Sequence, residues 1–146
     1  MAHFRIIVVG KLKDKRIEQL CMEYLKRLSR FCKAEVLEIK DSDPKREGDR
    51  IVEILQGYKG TVYVATEEGT QRTSVEFSRE LETDLARGTI TFVVGGPHGL
   101  SEAVKARSGK TLSLSAMTFT HEMARLLLIE QLYRAKNISA NTGYHH

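Results

Sequence analysis

Apolar and polar positions along the chain switch repeatedly between a strand-like and a helix-like pattern. Residues 4–9 (FRIIVV) form a short, continuous apolar run suited to a buried strand, closed by Gly10. Ile17, Leu20, Cys21, Tyr24, Leu25 and Leu28 then recur at helical spacing and predict an amphipathic helix of roughly four turns. Glu18, Glu23, Lys26 and Arg27 occupy its solvated face. Residues 34–39 predict a weaker second strand. The polar stretch 41–49 carries Pro44 and reads as a loop or a fraying helix start, before a short helix over 50–56 that stops at Gly57. A third strand is expected over 61–65. Thr73 with Glu76 makes a capping-box pattern, opening a helix that runs to about Arg87 with Gly88 just beyond it. Residues 89–94 (TITFVV), rich in β-branched side chains, predict the strongest strand. Ser101 is a good cap for a short helix, 111–114 predict a short fifth strand, and 122–136 a final helix.

This alternation predicts an α/β fold, a mostly parallel sheet with helices on both faces, in one domain spanning residues 1–146. Ligands of such sheets bind beyond the carboxyl ends of the strands, where the winding reverses. Three connections lie at such ends: 65–69, 95–100 and 114–119.

Composition narrows the class. The chain has 146 residues, enough for a core without a metal or disulfide staple. Hydrophobic residues make up 41% and charged residues 29%, an ordinary soluble balance. The longest apolar runs, 4–9 and 126–129, are far too short to span a bilayer. Met1 leads straight into the first strand with no signal-peptide pattern, so a cytoplasmic location is expected. Cys21 and Cys32 have no metal-ligand spacing and read as reduced, partly buried thiols. The net charge of +4 permits nucleic-acid binding without demanding it. No arginine-rich tail or RNA-binding aromatic signature is present. So modest an excess favours a structured partner, or a second copy of the chain, to hold RNA.

Chemistry concentrates in the last third. In FVVGGPHGLS (92–101) the adjacent Gly95 and Gly96 allow close backbone approach to a ligand, and Pro97 stiffens the exit. A merely tight strand-to-helix turn accounts for the same residues equally well. The loop is neither G-x-G-x-x-G nor a P-loop, which counts against a dinucleotide or ATP site. In LSLSAMTFTHEMAR (112–125), small and hydroxylated residues follow a strand end, leaving room for a flat ring beside exposed backbone groups. A serine-rich loop capping the last helix through Thr120 is the plainer reading, and it leaves Met117 and Phe119 unexplained. The last helix is apolar nearly all round, from Met123 to Tyr133, which implies deep insertion or a face shared with a partner subunit. Glu130 and Arg134 can pair at one polar edge. Arg125 is a candidate for a phosphate or carboxylate contact or a structural charge. His98 lies inside the glycine loop. His121 opens the last helix, where a neutral imidazole could accept a proton or orient a base. His145 and His146 alone would read as a frayed end or an expression scar.

Taken together, VGGPHGL (94–100), LSAMTF (114–119), His121, Arg125, EQLYRA (130–135) and Tyr144-His145 resemble the RlmH family of SPOUT methyltransferases. Gly10-Lys11 and YLKR (24–27) also fit, so the resemblance covers essentially the whole chain. It implies a C-terminal trefoil knot, which physical reasoning alone would not predict because knots are rare. It also implies a homodimer, S-adenosylmethionine as methyl donor, and methylation at N3 of a pseudouridine in large-subunit (23S) ribosomal RNA within the assembled ribosome. The implied cofactor residues are Ala65, Gly95, Leu114, Ser115, Ala116, Met117, Thr118 and Phe119, in the three strand-end loops already singled out. The implied substrate-side residues are His121, Tyr144 and His145, with His121 or Tyr144 as candidates to assist loss of the N3 proton. Some relatives carry leucine where Ala65 stands, and a Lys or Arg where this chain has His146.

The chemistry agrees with that resemblance. A sulfonium donor is cationic, and none of the three loops contains a lysine or arginine at the residues implied to hold it. Methyl transfer is an in-line displacement, for which positioning supplies much of the acceleration. Two other readings stand beside it. One is a non-catalytic ribosome-binding protein that keeps the SPOUT fold. The other is a nicotinamide or flavin domain, disfavoured by the missing glycine fingerprint.

Overall fold

In a computed structural model that describes residues 2–146, strands and helices alternate without exception. The order is β1 (His3–Val9), α1 (Lys15–Leu28), β2 (Lys33–Ile39), α2 (Pro44–Gln56), β3 (Val62–Ala65), α3 (Ser74–Leu85), β4 (Ile90–Val94), α4 (Glu102–Arg107), β5 (Lys110–Leu112) and α5 (His121–Ser139). The five strands form one sheet in the order β2-β1-β4-β3-β5, with every pairing parallel.

The period of two along a strand decides which helices cover which face. Phe4, Ile6 and Val8 of β1 point with Ile90, Phe92 and Val94 of β4 into a core shared with α1, α3 and α5. Ile7, Val9, Val64 and Val93 point the other way, against Ile51 and Leu55 of α2 and Val104 of α4. All of β4 is buried, as its composition predicts. Thr73 caps α3, its side chain accepting from the Glu76 amide. Cys21 and Cys32 are free and buried.

Three elements differ from the sequence reading. Helix α2 begins at Pro44, not at residue 50, because Asp43 accepts the Arg46 amide as N-cap. A proline in the first helical turn loses no hydrogen bond there, so the residue that suggested a loop marks a helix start. Strand β5 stops at Leu112. Ser113 then leaves the ladder, its amide donating to the Thr70 carbonyl and its hydroxyl to the Glu67 and Ser115 carbonyls. Helix α5 runs longer than expected, from His121 to Ser139, and lies between α1 and α3 under the middle of the sheet. Deep insertion into its own chain therefore accounts for most of its apolar surface, with Leu126, Leu128, Ile129 and Leu132 buried.

Candidate functional site

Beyond the carboxyl ends of β3, β4 and β5 lies a cleft of about 850 Å³. Its walls include Ala65, Thr66, Glu67 and Glu68 after β3, residues 94–100 at the end of β4, and Leu112, Leu114, Ser115, Met117, Thr118 and Phe119 after β5. The three loops chosen on topological grounds thus meet in one place. The start of α1 adds Asp14 and Ile17, α4 adds Lys105, and α5 adds His121, Glu122 and Ala124.

The glycine loop is tight for reasons internal to it. A Cβ at residue 95 would lie 2.9 Å from Leu100 Cγ and 3.0 Å from the Gly99 carbonyl carbon. One at residue 96 would lie 3.0 Å from Val9 Cγ1. Gly99 donates its amide to the Gly96 carbonyl with φ at +75°, where a side chain is disfavoured. The tight-turn and ligand readings of this loop are therefore compatible: the turn closes on itself and one side faces the cleft.

The loop after β5 behaves differently. Ser115 Oγ accepts the Met117 amide at 3.0 Å. The amides of Ser115, Ala116, Thr118 and Phe119 have no partner among the described residues. Several backbone donors thus stand open beside a cavity, in a loop whose base is tied by Ser113 to residues 67 and 70. Ala116 itself is exposed and outside the cleft lining, unlike its neighbours. Met117, 76% exposed, and Phe119 stand at the mouth.

The lining is predominantly acidic. Asp14, Glu67, Glu68 and Glu122 contribute four carboxylates against one lysine, Lys105, which lies 3.7 Å from Glu102. Sequence reading of the loops did not find Lys105, because α4 brings it in from outside them. Asp14 is the N-cap of α1 and is held by the Arg16 side chain, and also by the Arg16 amide, at a pKa lowered to about 2. Glu122 Oε1 accepts the amides of Lys13 and Asp14, each at 3.1 Å. Asp14, Ile17 and Glu122 were missed as cleft residues. A cap-forming aspartate just ahead of the helical spacing that starts at Ile17 is the signal that could have found Asp14, whereas nothing in the local sequence links Glu122 to a loop more than a hundred residues earlier.

The remaining expected residues fall into two groups. His121 lies in the cleft at the first position of α5. Tyr144 and His145 do not share it within this chain. Residues after α5 fold back along that helix, with the Thr142 amide donating to the Asn137 carbonyl. The Tyr144 hydroxyl donates to Glu130 Oε2 at 3.0 Å, and its ring packs edge-on against Tyr133. Burial, with the Glu130 hydrogen bond second, holds the Tyr144 phenol well above its ordinary pKa. His145 Nδ1 lies 3.1 Å from the Arg134 guanidinium. Glu130 is nine residues from His121, roughly 14 Å along the helix. Arg125 proves to be a structural charge: only 4% exposed, it contacts Glu38 Oε2 and the Gly10 carbonyl, each at 2.8 Å. Among the described residues no cluster of His, Cys, Asp and Glu is placed to hold a metal, and no helix is long and apolar enough to cross a membrane.

Comparison with known proteins agrees with this geometry. The family model described as "Predicted SPOUT methyltransferase" matches residues 2–145. A protein of Leuconostoc mesenteroides named ribosomal RNA large subunit methyltransferase H is 40% identical, with 98% of this chain and 99% of that protein covered. One of Pediococcus pentosaceus with the same name is 42% identical at the same coverage. Among solved structures, a Bacillus anthracis protein described as a candidate RNA methyltransferase superposes with a TM-score of 0.57 at 11% identity, covering 92% of this chain and 94% of that one. The SpoU methyltransferase AviRb of Streptomyces viridochromogenes, in complex with AdoMet, gives 0.51 at 11% identity, covering 95% and 60%.

Proposed function

Because the chain belongs to the SPOUT methyltransferase family, we propose that it methylates N3 of a pseudouridine in large-subunit ribosomal RNA, using S-adenosylmethionine, on the assembled ribosome in the cytoplasm. The observation that carries this reading is the convergence of three strand-end loops on one cleft whose open polar groups suit that donor. The near-full-length similarity to proteins named for ribosomal RNA methylation supports the choice of substrate.

The residues fit the cofactor. The unpartnered amides of Ser115, Thr118 and Phe119 can recognise a flat heterocycle by its edge, while Leu112, Leu114 and Val94 supply apolar walls. Ala65 and Gly95 line the cleft beside them. When bound, S-adenosylmethionine supplies an electrophilic methyl group on a sulfonium. The surplus of carboxylates at Glu67, Glu68 and Glu122 favours such a cation electrostatically. His121, at the cleft end of α5, is placed to take the imide proton that N3 must lose.

Tyr144 and His145 act on the same substrate through a second copy of the chain. In one copy they sit roughly 14–20 Å from His121 along α5, counting to Glu130 and Arg134. A homodimer pairing one copy's cleft with the other's tail brings them together. The whole chain, 1–146, works as one such domain. We read its C-terminal region as the trefoil knot of the family. Membership of the family supports that reading.

The test is incubation with ribosomes from cells lacking the gene and labelled S-adenosylmethionine, followed by mass mapping and reverse transcription of the RNA. One added methyl at a pseudouridine, with a block to copying because N3 is on the pairing edge, is the expected result. Cofactor binding without any transfer would instead identify a ribosome-binding protein that keeps only the fold.

A further inference from the structure

The mouth of the cleft is flanked by a short loop, residues 10–14, joining β1 to α1. Two side chains of α5 hold it from below. Arg125 binds the Gly10 carbonyl at one end, and Glu122 binds the Lys13 and Asp14 amides at the other. The backbone is thus fixed at both ends to the helix that carries His121.

That clamp has an electrostatic result. Glu122 is committed to backbone amides, Asp14 to Arg16, and Glu38 to Arg125. Lys11 and Lys13 are both exposed and have no carboxylate within ion-pairing distance among the described residues. Parallel pairing places the end of β2 beside Gly10, whose amide donates to the Ile39 carbonyl, so Lys40 extends the same edge. Lys40 is also exposed and unpaired, and Asp41, next to Gly10, is the one neighbouring exposed carboxylate without an ion-pair partner there. The cleft is acidic while this rim is basic, a division that suits a cationic cofactor inside and a polyanion outside.

We propose that Lys11 and Lys13, with Lys40 beyond them, form the phosphate-binding rim of the site and hold the RNA strand flanking the target nucleotide. The proposal rests on the reading of the substrate as RNA. Other exposed lysines and arginines exist, and Lys59 and Arg87 lie at the opposite end of the sheet, ahead of β3 and β4. What distinguishes Lys11 and Lys13 is a backbone fixed to α5 at the cleft edge, so that little order is lost when phosphates are bound.

The experiment compares the full-length protein with K11E/K13E and, as a charge-matched control, K59E/R87E. Thermal unfolding and S-adenosylmethionine calorimetry check that both variants fold and bind cofactor. Binding to ribosomes from cells lacking the gene is then measured across salt concentrations, together with methyl transfer. Loss of two phosphate contacts is expected to weaken binding about tenfold near physiological salt. The slope of log affinity against log salt should shrink by about 1 for each lysine. Cofactor binding should be unchanged, and K59E/R87E should match the parent protein. Parent-like binding and salt slope in K11E/K13E would overturn the rim while leaving the methyltransferase reading intact. Equal losses in both variants would also overturn it, since net charge alone would then be responsible. Absence of RNA methylation by the parent protein itself would remove the reading on which the rim depends.

Discussion

Two polar regions of this molecule sit on the same strand, β3, and differ in whether their polar groups are used up. Near its start, Tyr63 is fully buried, stacked on Phe92, and its hydroxyl donates to Asp84 with Glu80 3.1 Å away. Lys110 bridges Asp84 and Glu80, and Arg72 binds Glu80 and the Thr111 carbonyl. Each charge there has a partner. Beyond the other end of β3, the loop after β5 leaves four amides open, and the acidic side chains face a cavity. The first arrangement is a finished network that fixes β3, α3 and β5 together. The second keeps its donors at the surface, where solvent or a bound ligand can meet them.

The comparison predicts different consequences for substitutions in the two regions. Asp84→Ala removes the nearer partner of both Lys110 and the Tyr63 hydroxyl, leaving each only Glu80, and should cost about 1–3 kcal/mol of stability. Cofactor affinity of the molecules that remain folded should stay the same, and denaturant titration with calorimetry measures both. A variant of normal stability but weakened cofactor binding would dissolve the distinction. Gly95→Val should lower cofactor affinity as well as stability. Its side chain must displace Leu100 and residue 99, an overpacking cost of about 1–3 kcal/mol. Because the displaced loop forms a cleft wall, affinity for S-adenosylmethionine should fall tenfold or more, by the usual equivalence of about 1.4 kcal/mol per decade. Full activity in that variant would remove the loop from the cofactor site.

Smaller effects sharpen the same contrast. Ser115→Ala frees the Met117 amide and loosens the open loop, costing about 1 kcal/mol at most. That cost should show as a few-fold weaker cofactor binding with an almost unchanged unfolding midpoint. The weakest signal is alkaline. Burial pushes the Cys32 thiol from 9.0 up to about 11. Its stabilising contribution is therefore complete below pH 9 and is lost as pH rises toward 11, because the unfolded thiol ionises first. Burial, with the Asp84 hydrogen bond second, raises Tyr63 in the same direction. Stability should decline above pH 9, and Cys32→Ala should flatten the first part of that decline in pH-dependent denaturation.

Most of the architecture was legible in the sequence because each element buries one face at its own period. The run 89–94 and the helical spacing from Ile17 to Leu28 needed no tertiary context. Pro44 misled because a proline's meaning depends on whether it falls before, at the start of, or inside a helix. The strand-end loops could be picked from chain order, but their meeting with Asp14, Lys105 and Glu122 could not. Those contacts join residues far apart in sequence, and no local preference encodes them. Tyr144 and His145 show a second limit: a terminal segment after a helix turn carries no periodic signal for the direction in which it folds back. Ala116, between two cleft residues, shows how little a motif says about which of its side chains faces inward.

The clasp between Glu122 and the amides of Lys13 and Asp14 also constrains how the chain matures. Helix α1 packs its apolar side, including Ile17, Tyr24 and Leu25, in the core shared with α5. During synthesis that side has no cover until α5 has been made. Contacts of such long sequence separation slow folding, because loop closure must precede any gain from packing. The early strand and helix therefore spend most of translation as a sticky intermediate, and a truncation within α5 should yield an aggregating product. The last helix is in effect the latch that ends the nascent chain's exposure.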